Sequence, residues 1–450
     1  MVNELRELMH RAVDSPPDDP TDLGAVLAGG RRTARRRRRT VTASVAAVAA
    51  VTLTAGVLTA GGGSDPDRVA GNVVPRPDGP VVRLDDATVG AEGEDYDVVS
   101  SYANPDLDAG NGQYYDGVTE DGLILFRDGP RGPENAVRYA LLDPATGKRD
   151  WLPATGSTQD VWPVELGEER LVLASVEPDP AAEDFSGRLR VDVLDRATRT
   201  WSTHRWSALP DINDPWVVEA GPGGRLYVGV PATEGGPPPG GWPTGVDGEA
   251  DDSAAEGETS DLWSVSLDDS TDVRDEGLRF GELAFTEELM VWTAATGGIN
   301  DRIHVRDLTS GDERDFDPRS GERCNLLGFG VSGDRIALSQ YCGDYDDGRD
   351  DRIQVLTTDG EQVTTIQGDG ISGGISGDLL QVTSWARDLA GTFVYELATG
   401  RLVRVTEGTS SYSLGGPTPD GMLLWDTPIG EAAEPEEPIP GAKQWLVRWR

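Results

Sequence analysis

From residue 120 to its end this 450-residue chain repeats one short pattern, a tight turn followed by a strongly apolar run. It occurs as Glu120-Asp121-Gly122 before LILF, Gly167-Glu168-Glu169 before LVLA from Leu171, Pro222-Gly223-Gly224 before LYV from Leu226, and Glu287-Glu288 before LMVW. It returns as Ser332-Gly333-Asp334 before IALS from Ile336, Ser376-Gly377-Asp378 before LLQV, and Pro419-Asp420-Gly421 before MLLW. A second pattern alternates with the first: an apolar strand, a D-x-x-T-G-like turn and a more polar strand. It reads YALLDPATGKRDWL from Tyr139, LRVDVLDRATRTWS from Leu189, LWSVSLDDSTDV from Leu262, IHVRDLTSGDERDF from Ile303, IQVLTTDGEQVTTI from Ile353 and FVYELATGRLVRV from Phe393. A period of about 45 residues built from four short strands describes a propeller blade, a unit that cannot bury its own faces and must stack on neighbours.

The details of each repeat agree with that architecture. Second strands are nearly all apolar, as strands buried on both sides must be, while fourth strands alternate like an outer edge. Seven first halves stand against six second halves, because the chain ends at Gln444-Trp445-Leu446-Val447-Arg448-Trp449-Arg450 with a third strand and no fourth. Val81-Val82-Arg83-Leu84 is the expected donor of the missing strand, closing the ring and removing an exposed edge. The expected fold is all-β, a seven-bladed β-propeller over residues 81–450 closed by an N-terminal strand. These repeats resemble the divergent bacterial propellers of the TolB, quinoprotein and WD-repeat-like group, without the Gly-His and Trp-Asp pairs of true WD repeats.

The segment ahead of the repeats is of another kind. Thr40 to Ala60, TVTASVAAVAAVTLTAGVLTA, is uncharged and about as long as a helix needs to cross a ~30 Å hydrocarbon layer. Seven arginines lie directly before it, in Arg31-Arg32-Thr33-Ala34-Arg35-Arg36-Arg37-Arg38-Arg39, and Asp65 and Asp67 follow it. Arginine-rich flanks stay cytoplasmic, so residues 1–39 are expected inside the cell, 40–60 in the membrane and the remainder outside. A cleaved export signal is the competing reading, with an unusually long charged region and Leu58 where a small residue is preferred. Residues 61–80, Gly/Pro/Asp-rich, read as a flexible stalk. Within 1–39, Leu5, Leu8, Met9 and Ala12 share one helical face, Pro16, Pro17 and Pro20 break the helix, and a second short helix fits Leu23 to Ala28. Helices so short are marginal alone, which makes residues 1–30 a candidate for a cytoplasmic protein partner. This layout resembles actinobacterial single-pass membrane proteins, some of them transmembrane anti-sigma regulators. The zinc-binding His/Cys signature of many such regulators is missing, since His10 stands alone and no cysteine precedes Cys324.

Charge separates the two ends. Nine arginines oppose six acidic residues before residue 40, and the other 31 basic residues face 73 acidic ones after it, within a net charge of -39. A domain so acidic repels nucleic acid and anionic lipid alike, so an extracellular ligand or protein, cationic in character, is the expected partner. Thr233 to Asp261 reads as a disordered acidic insertion between the second and third strands of blade three. The matching loops, Asp128–Asn135, Glu177–Gly187, Gly343–Asp351 and Asp426–Lys443, are expected to share its face as a negative rim.

Residues for chemistry are sparse, and neither catalytic residues nor a cofactor are expected. His10, His204 and His304 show no metal-ligand spacing. No nucleophile elbow, phosphate-cradling loop or dinucleotide fingerprint occurs in a fitting context. Gly343-Asp344-Tyr345-Asp346-Asp347-Gly348-Arg349-Asp350-Asp351 suggests calcium, but Gly348 stands where a third EF-hand ligand belongs, so a solvated loop is expected there. Trp151, Trp201, Trp263, Trp292, Trp385 and Trp425 recur at blade positions and read as packing between blades, with sugar stacking the alternative. Cys324 and Cys342 are each nine residues from Gly333, so a symmetric hairpin sets them opposite one another and predicts a disulfide worth roughly 3 kcal/mol. The function that follows is a membrane-anchored extracytoplasmic binding or sensing module. The alternatives are a propeller enzyme of lactonase or quinoprotein dehydrogenase type and a cell-envelope adhesion module.

Overall fold

The structure, a computed structural model, describes residues 79–105, 112–131, 136–155, 161–178, 186–213, 218–233, 257–298, 300, 302–321, 324–345, 348–386, 388–409, 416–430 and 441–450. The segments expected at 1–39 and 40–60, most of the stalk and most of the 233–261 insertion lie outside them. Among the described residues no helix is long and apolar enough to cross a membrane.

The described chain is an all-β propeller of seven blades. Three N-terminal strands come first: β1 (Val81–Arg83), β2 (Thr88–Val89) and β3 (Tyr96–Asn104). Blade 1 is β4 (Gln113–Val118), β5 (Ile124–Arg131), β6 (Ala136–Leu142) and β7 (Arg149–Trp151). Blade 2 is β8 (Trp162–Leu166), β9 (Arg170–Pro178), β10 (Gly187–Asp195) and β11 (Thr200–Arg205). Blade 3 is β12 (Val218–Ala220), β13 (Arg225–Thr233), β14 (Thr259–Ser266) and β15 (Val273–Phe280). Blade 4 is β16 (Leu283–Phe285), β17 (Leu289–Thr293), β18 (Ile303–Asp307) and β19 (Glu313–Phe316). Blade 5 is β20 (Asn325–Ser332), β21 (Arg335–Tyr345), β22 (Gly348–Thr357) and β23 (Gln362–Gly368). Blade 6 is β24 (Ile371–Ser376), β25 (Leu379–Ser384), β26 (Gly391–Glu396) and β27 (Arg401–Arg404). Blade 7 consists of β28 (Met422–Ile429) and β29 (Gly441–Trp449), with β3 as its outer strand.

Each repeated motif has a local cause. In the D-x-x-T-G turns the aspartate caps the backbone that follows it. Asp143 Oδ1 accepts from Ala145 N at 2.9 Å, Asp195 Oδ1 from Thr198 N at 2.7 Å, and Asp307 Oδ1 from Thr309 N at 2.8 Å. These donors hold all three carboxyls below their usual range, with Thr146 Oγ1 leading at Asp143 and backbone amides at the other two. The apolar second and third strands then stack between blades, and every seam has its own buried cluster. Val172, Val191, Leu226 and Val265 lie between blades 2 and 3, and Ile353, Ile366, Leu380 and Phe393 between blades 5 and 6. Burying such side chains is worth roughly 1.5–3 kcal/mol each, which is why stacking and not strand propensity holds the ring.

Ring closure differs from the sequence expectation. Val81 to Leu84 does not complete the last blade. β1 instead runs parallel along the outer edge of blade 5, with Val82 opposite Ile366, and Leu84 sits in a 3-10 turn, buried in the cluster of blades 5 and 6. β2 adds in parallel to blade 6, Thr88 opposite Val403. β3, antiparallel to β29 with Trp445 opposite Ser101, is the closing strand. One N-terminal strap therefore laces three consecutive blades. The last and first blades are also clamped by Gln444, whose Oε1 accepts from Tyr115 N at 2.6 Å while its Nε2 donates to Gln113 O at 2.7 Å.

Candidate functional site

The innermost strands β4, β8, β12, β16, β20 and β24 face the ring axis, and two carboxylates stand on neighbouring ones. Glu219 is the middle residue of β12, and Glu282 leads into β16. Glu282 is fixed from blade 4: Thr296 Oγ1 donates to its Oε1 at 2.5 Å, and its own N–H donates to Thr293 Oγ1 at 2.9 Å. Glu219 is half-buried and accepts no hydrogen bond among the described residues. Burial, reinforced by the Glu282 charge, pushes its carboxyl up to about 7. A carboxyl balanced between its two protonation states at neutral pH can give or take a proton. Sequence reasoning missed both residues. The available signal was an acid inside a short apolar run directly before the repeated turn, Val218-Glu219-Ala220 and Glu282-Leu283-Ala284.

A second polar region lies in blade 5. Gln340, Arg352 and Gln367 stand side by side in register on β21, β22 and β23. Arg352 is fully buried and donates through Nε and Nη2 to the two oxygens of Asp350, at 3.0 and 2.6 Å, while its Nη1 lies 4.0 Å from Cys324 Sγ. Gln354 donates to Pro318 O at 2.6 Å and accepts from Ser320 Oγ at 2.8 Å. On the opposite face of β22, Asp351 Oδ2 accepts from Arg349 Nε at 2.8 Å and Ile371 N at 3.2 Å. Burial outweighs the arginine and pushes Asp351 up to about 6. Asp350 and Asp351 are thus each paired with an arginine two residues away, and the remaining carboxylates of the Gly343–Asp351 loop lie outside the described side chains. Among the described residues no group of three His, Cys, Asp or Glu is placed to hold a metal.

The other sequence candidates are scattered. Cys324 and Cys342 form the predicted disulfide, with Cα atoms 4.0 Å apart, buried beside Arg352. His204 is hydrogen-bonded to Ser202 at 2.9 Å and stacked on Trp206, and burial holds it below its usual range. His304 lies flat on Trp292 two blades away, centroids 5.0 Å apart. His10 lies outside the described residues, as does most of the expected acidic rim. Trp292 and Trp425 are buried in seam clusters, and Trp201 and Trp263 pack partly against others, so these tryptophans are packing residues. Trp151 is the exception, 38% exposed, with the Arg138 guanidinium 4.5 Å from its ring centroid.

No family model matches the chain, and no curated protein does. Among solved structures the chain is similar to a prolyl endopeptidase, at 14% identity and a TM-score of 0.43, covering 81% of this chain and 48% of that one. It is also similar to an oligogalacturonate lyase in complex with manganese, at 14% identity and a TM-score of 0.47, covering 80% of this chain and 99% of that one. The β-propeller domain of the Trilobed protease from Pyrococcus furiosus matches at 11% identity and a TM-score of 0.46, covering 75% of this chain and 97% of that one. The chain thus spans about half the length of the prolyl endopeptidase.

Proposed function

We propose that the chain is a single-pass membrane protein whose propeller is held outside the cell as a binding or sensing module. Its loop face is turned away from the tether. The observation that supports this reading is the direction of the strap. β1 runs parallel to β23, Pro80 O accepts from Thr365 N at 2.9 Å, and Gly79 lies beside Gln362 at the start of β23. The chain therefore enters the domain from the face of the short turns. The second and third strands of each blade open on the opposite face, at pairs such as Pro178 with Gly187, Thr233 with Thr259 and Ile429 with Gly441. A tether at residues 40–60 would leave that face free for a cationic ligand or protein, and residues 1–30 would carry the signal to a cytoplasmic partner. For the enzymatic alternative Glu219 is a proton-transfer candidate, and no nucleophile is hydrogen-bonded to it among the described residues.

Protease added to spheroplasts expressing the full chain tests the arrangement. The propeller should be digested while the first forty residues survive, and a protected propeller would overturn the reading.

A further inference from the structure

The outer strand of blade 1, β7, has three residues, and its alternation sends Arg149 and Trp151 to one face and Asp150 to the other. Asp150 faces blade 2, where Arg199 holds it. Arg149 and Trp151 face blade 7 across the outer rim of the ring. The Arg149 guanidinium lies 4.1 Å from the ring centroid of Phe126 and 5.1 Å from that of Tyr102, which stands on the closing strand β3. Phe126 in turn lies 5.2 Å from Tyr102 and 6.4 Å from Trp151, centroid to centroid. Trp151, 38% exposed, forms the outer wall of the groove and is the most exposed tryptophan among the described residues.

Hydrogen bonding sets Arg149 apart from the groups around it. Tyr102 Oη donates to Gln113 Oε1, Gln113 Nε2 donates to Asp128 Oδ1 at 2.9 Å, and Asp128 Oδ2 accepts from Arg138 Nη2 at 2.5 Å. Asp128 and Asp150, the acids beside the groove, are thus each taken by another arginine. Arg149 is half-buried, yet among the described residues it donates no hydrogen bond and has no ion pair. Two aromatic rings hold the guanidinium in place while its N–H donors stay unused. A planar fork fixed in this way fits a carboxylate through two parallel hydrogen bonds. The chain carries a net charge of -39, so a cation left without a carboxylate is against the trend of the molecule.

We propose that the groove between β3 and β7 binds a small organic carboxylate, Arg149 taking the carboxylate and Trp151 packing against its apolar body. The occupant is compact because the free edge of β7 is already in use. Arg199 Nη2 donates to Trp151 O at 2.6 Å, so an added strand cannot extend this sheet as β1 and β2 extend blades 5 and 6. Arg138, its side chain 60% exposed, lies 4.5 Å from the Trp151 ring centroid and borders the same opening. Its charge is matched by Asp128, which leaves Arg149 to select the anion. The groove lies on the rim of the ring, apart from the loop face, and its failure to bind would leave the tethered arrangement untouched.

Equilibrium dialysis of radiolabelled benzoate against the full chain tests the site, with benzamide and acetate as competitors. Benzoate should saturate one site per chain. Benzamide, which lacks the charge, and acetate, which lacks the ring, should each compete at least about tenfold less well. Arg149→Lys keeps the charge and loses the fork, and should weaken benzoate binding about tenfold. Trp151→Ala, at an exposed position, should weaken it about fivefold. Both variants should melt close to the wild type. Absence of saturable benzoate binding, equal competition by benzamide or acetate, or unchanged benzoate affinity in either variant would each overturn the proposal.

Discussion

Arg199 occupies a position that glycine fills in sister turns. Gly147, Gly311 and Gly400 have φ of 68°, 78° and 71° there, and Arg199 has 58°, a left-handed conformation that costs a side-chain-bearing residue about 1–2 kcal/mol. Its side chain accounts for the departure, reaching back to blade 1 to donate to Asp150 Oδ2 at 2.5 Å and Trp151 O at 2.6 Å. An exposed pair of this kind contributes about 0–1 kcal/mol, so strain and clasp nearly cancel. Arg199→Gly should leave the urea midpoint almost unchanged, while Arg199→Ala, which keeps the strain and loses the clasp, should lower stability by about 1 kcal/mol. The reverse order would show that the clasp does not explain the arginine. At this scale the sequence was legible wherever a motif repeats, as the capping aspartates do. It was less legible at the disulfide. A symmetric hairpin about Gly333 pairs Cys324 with Cys342, but the turn pairs Ser332 with Arg335, a register that would place Cys324 opposite Gly343. A bulge between Leu326 and Gly328 shifts the ladder by one residue and brings the cysteines together. The pair was predicted correctly through a register that only this bulge creates.

Among the strands, the apolar runs fixed seven blades because each must be buried on both faces. The closing strand was assigned wrongly for a physical reason. Val81-Val82-Arg83-Leu84 and the later Tyr96-Asp97-Val98-Val99-Ser100-Ser101-Tyr102 both have strand composition, and choosing between them depends on contacts 284 to 353 residues away in the chain. The two parts of the strap should separate on truncation. A chain beginning at Gly90 loses β1, β2 and the burial of Leu84 but keeps β3. It should fold cooperatively with a loss of about 2–3 kcal/mol, the worth of one buried leucine and a few edge hydrogen bonds. A chain beginning at Gly112 loses β3 as well and exposes the edge of β29. Aggregation or a non-cooperative melt is expected there. If the Gly112 chain melts like the Gly90 chain, β3 is not the closure.

For the whole molecule, acidity acts through two populations of carboxylates with opposite pH dependence. Asp121, held by Arg196, and Glu177, held by Arg205, lie below their usual range, so their stabilisation is present above their unfolded values and is lost as pH falls through the folded ones. Glu219 and Asp351 are raised, to about 7 and about 6, so theirs is present below about 4 and is lost as pH rises through those values. The composition revealed the excess of acid but not this division, because burial and arginine partners are set by the fold. The net charge of -39 adds a repulsion that also grows with pH. The melting temperature should therefore peak near pH 5 and decline toward pH 8. Salt separates the causes. Surface repulsion is screened beyond about 10 Å at 0.1 M, whereas the enclosed carboxyls are screened much less. Added NaCl should accordingly raise the melting temperature at pH 8 while leaving part of the decline between pH 5 and pH 7, and that residual slope should flatten in Glu219→Gln. A melting temperature that is level from pH 5 to pH 8 at low salt would mean that neither buried carboxylate nor the net charge governs the stability of the domain.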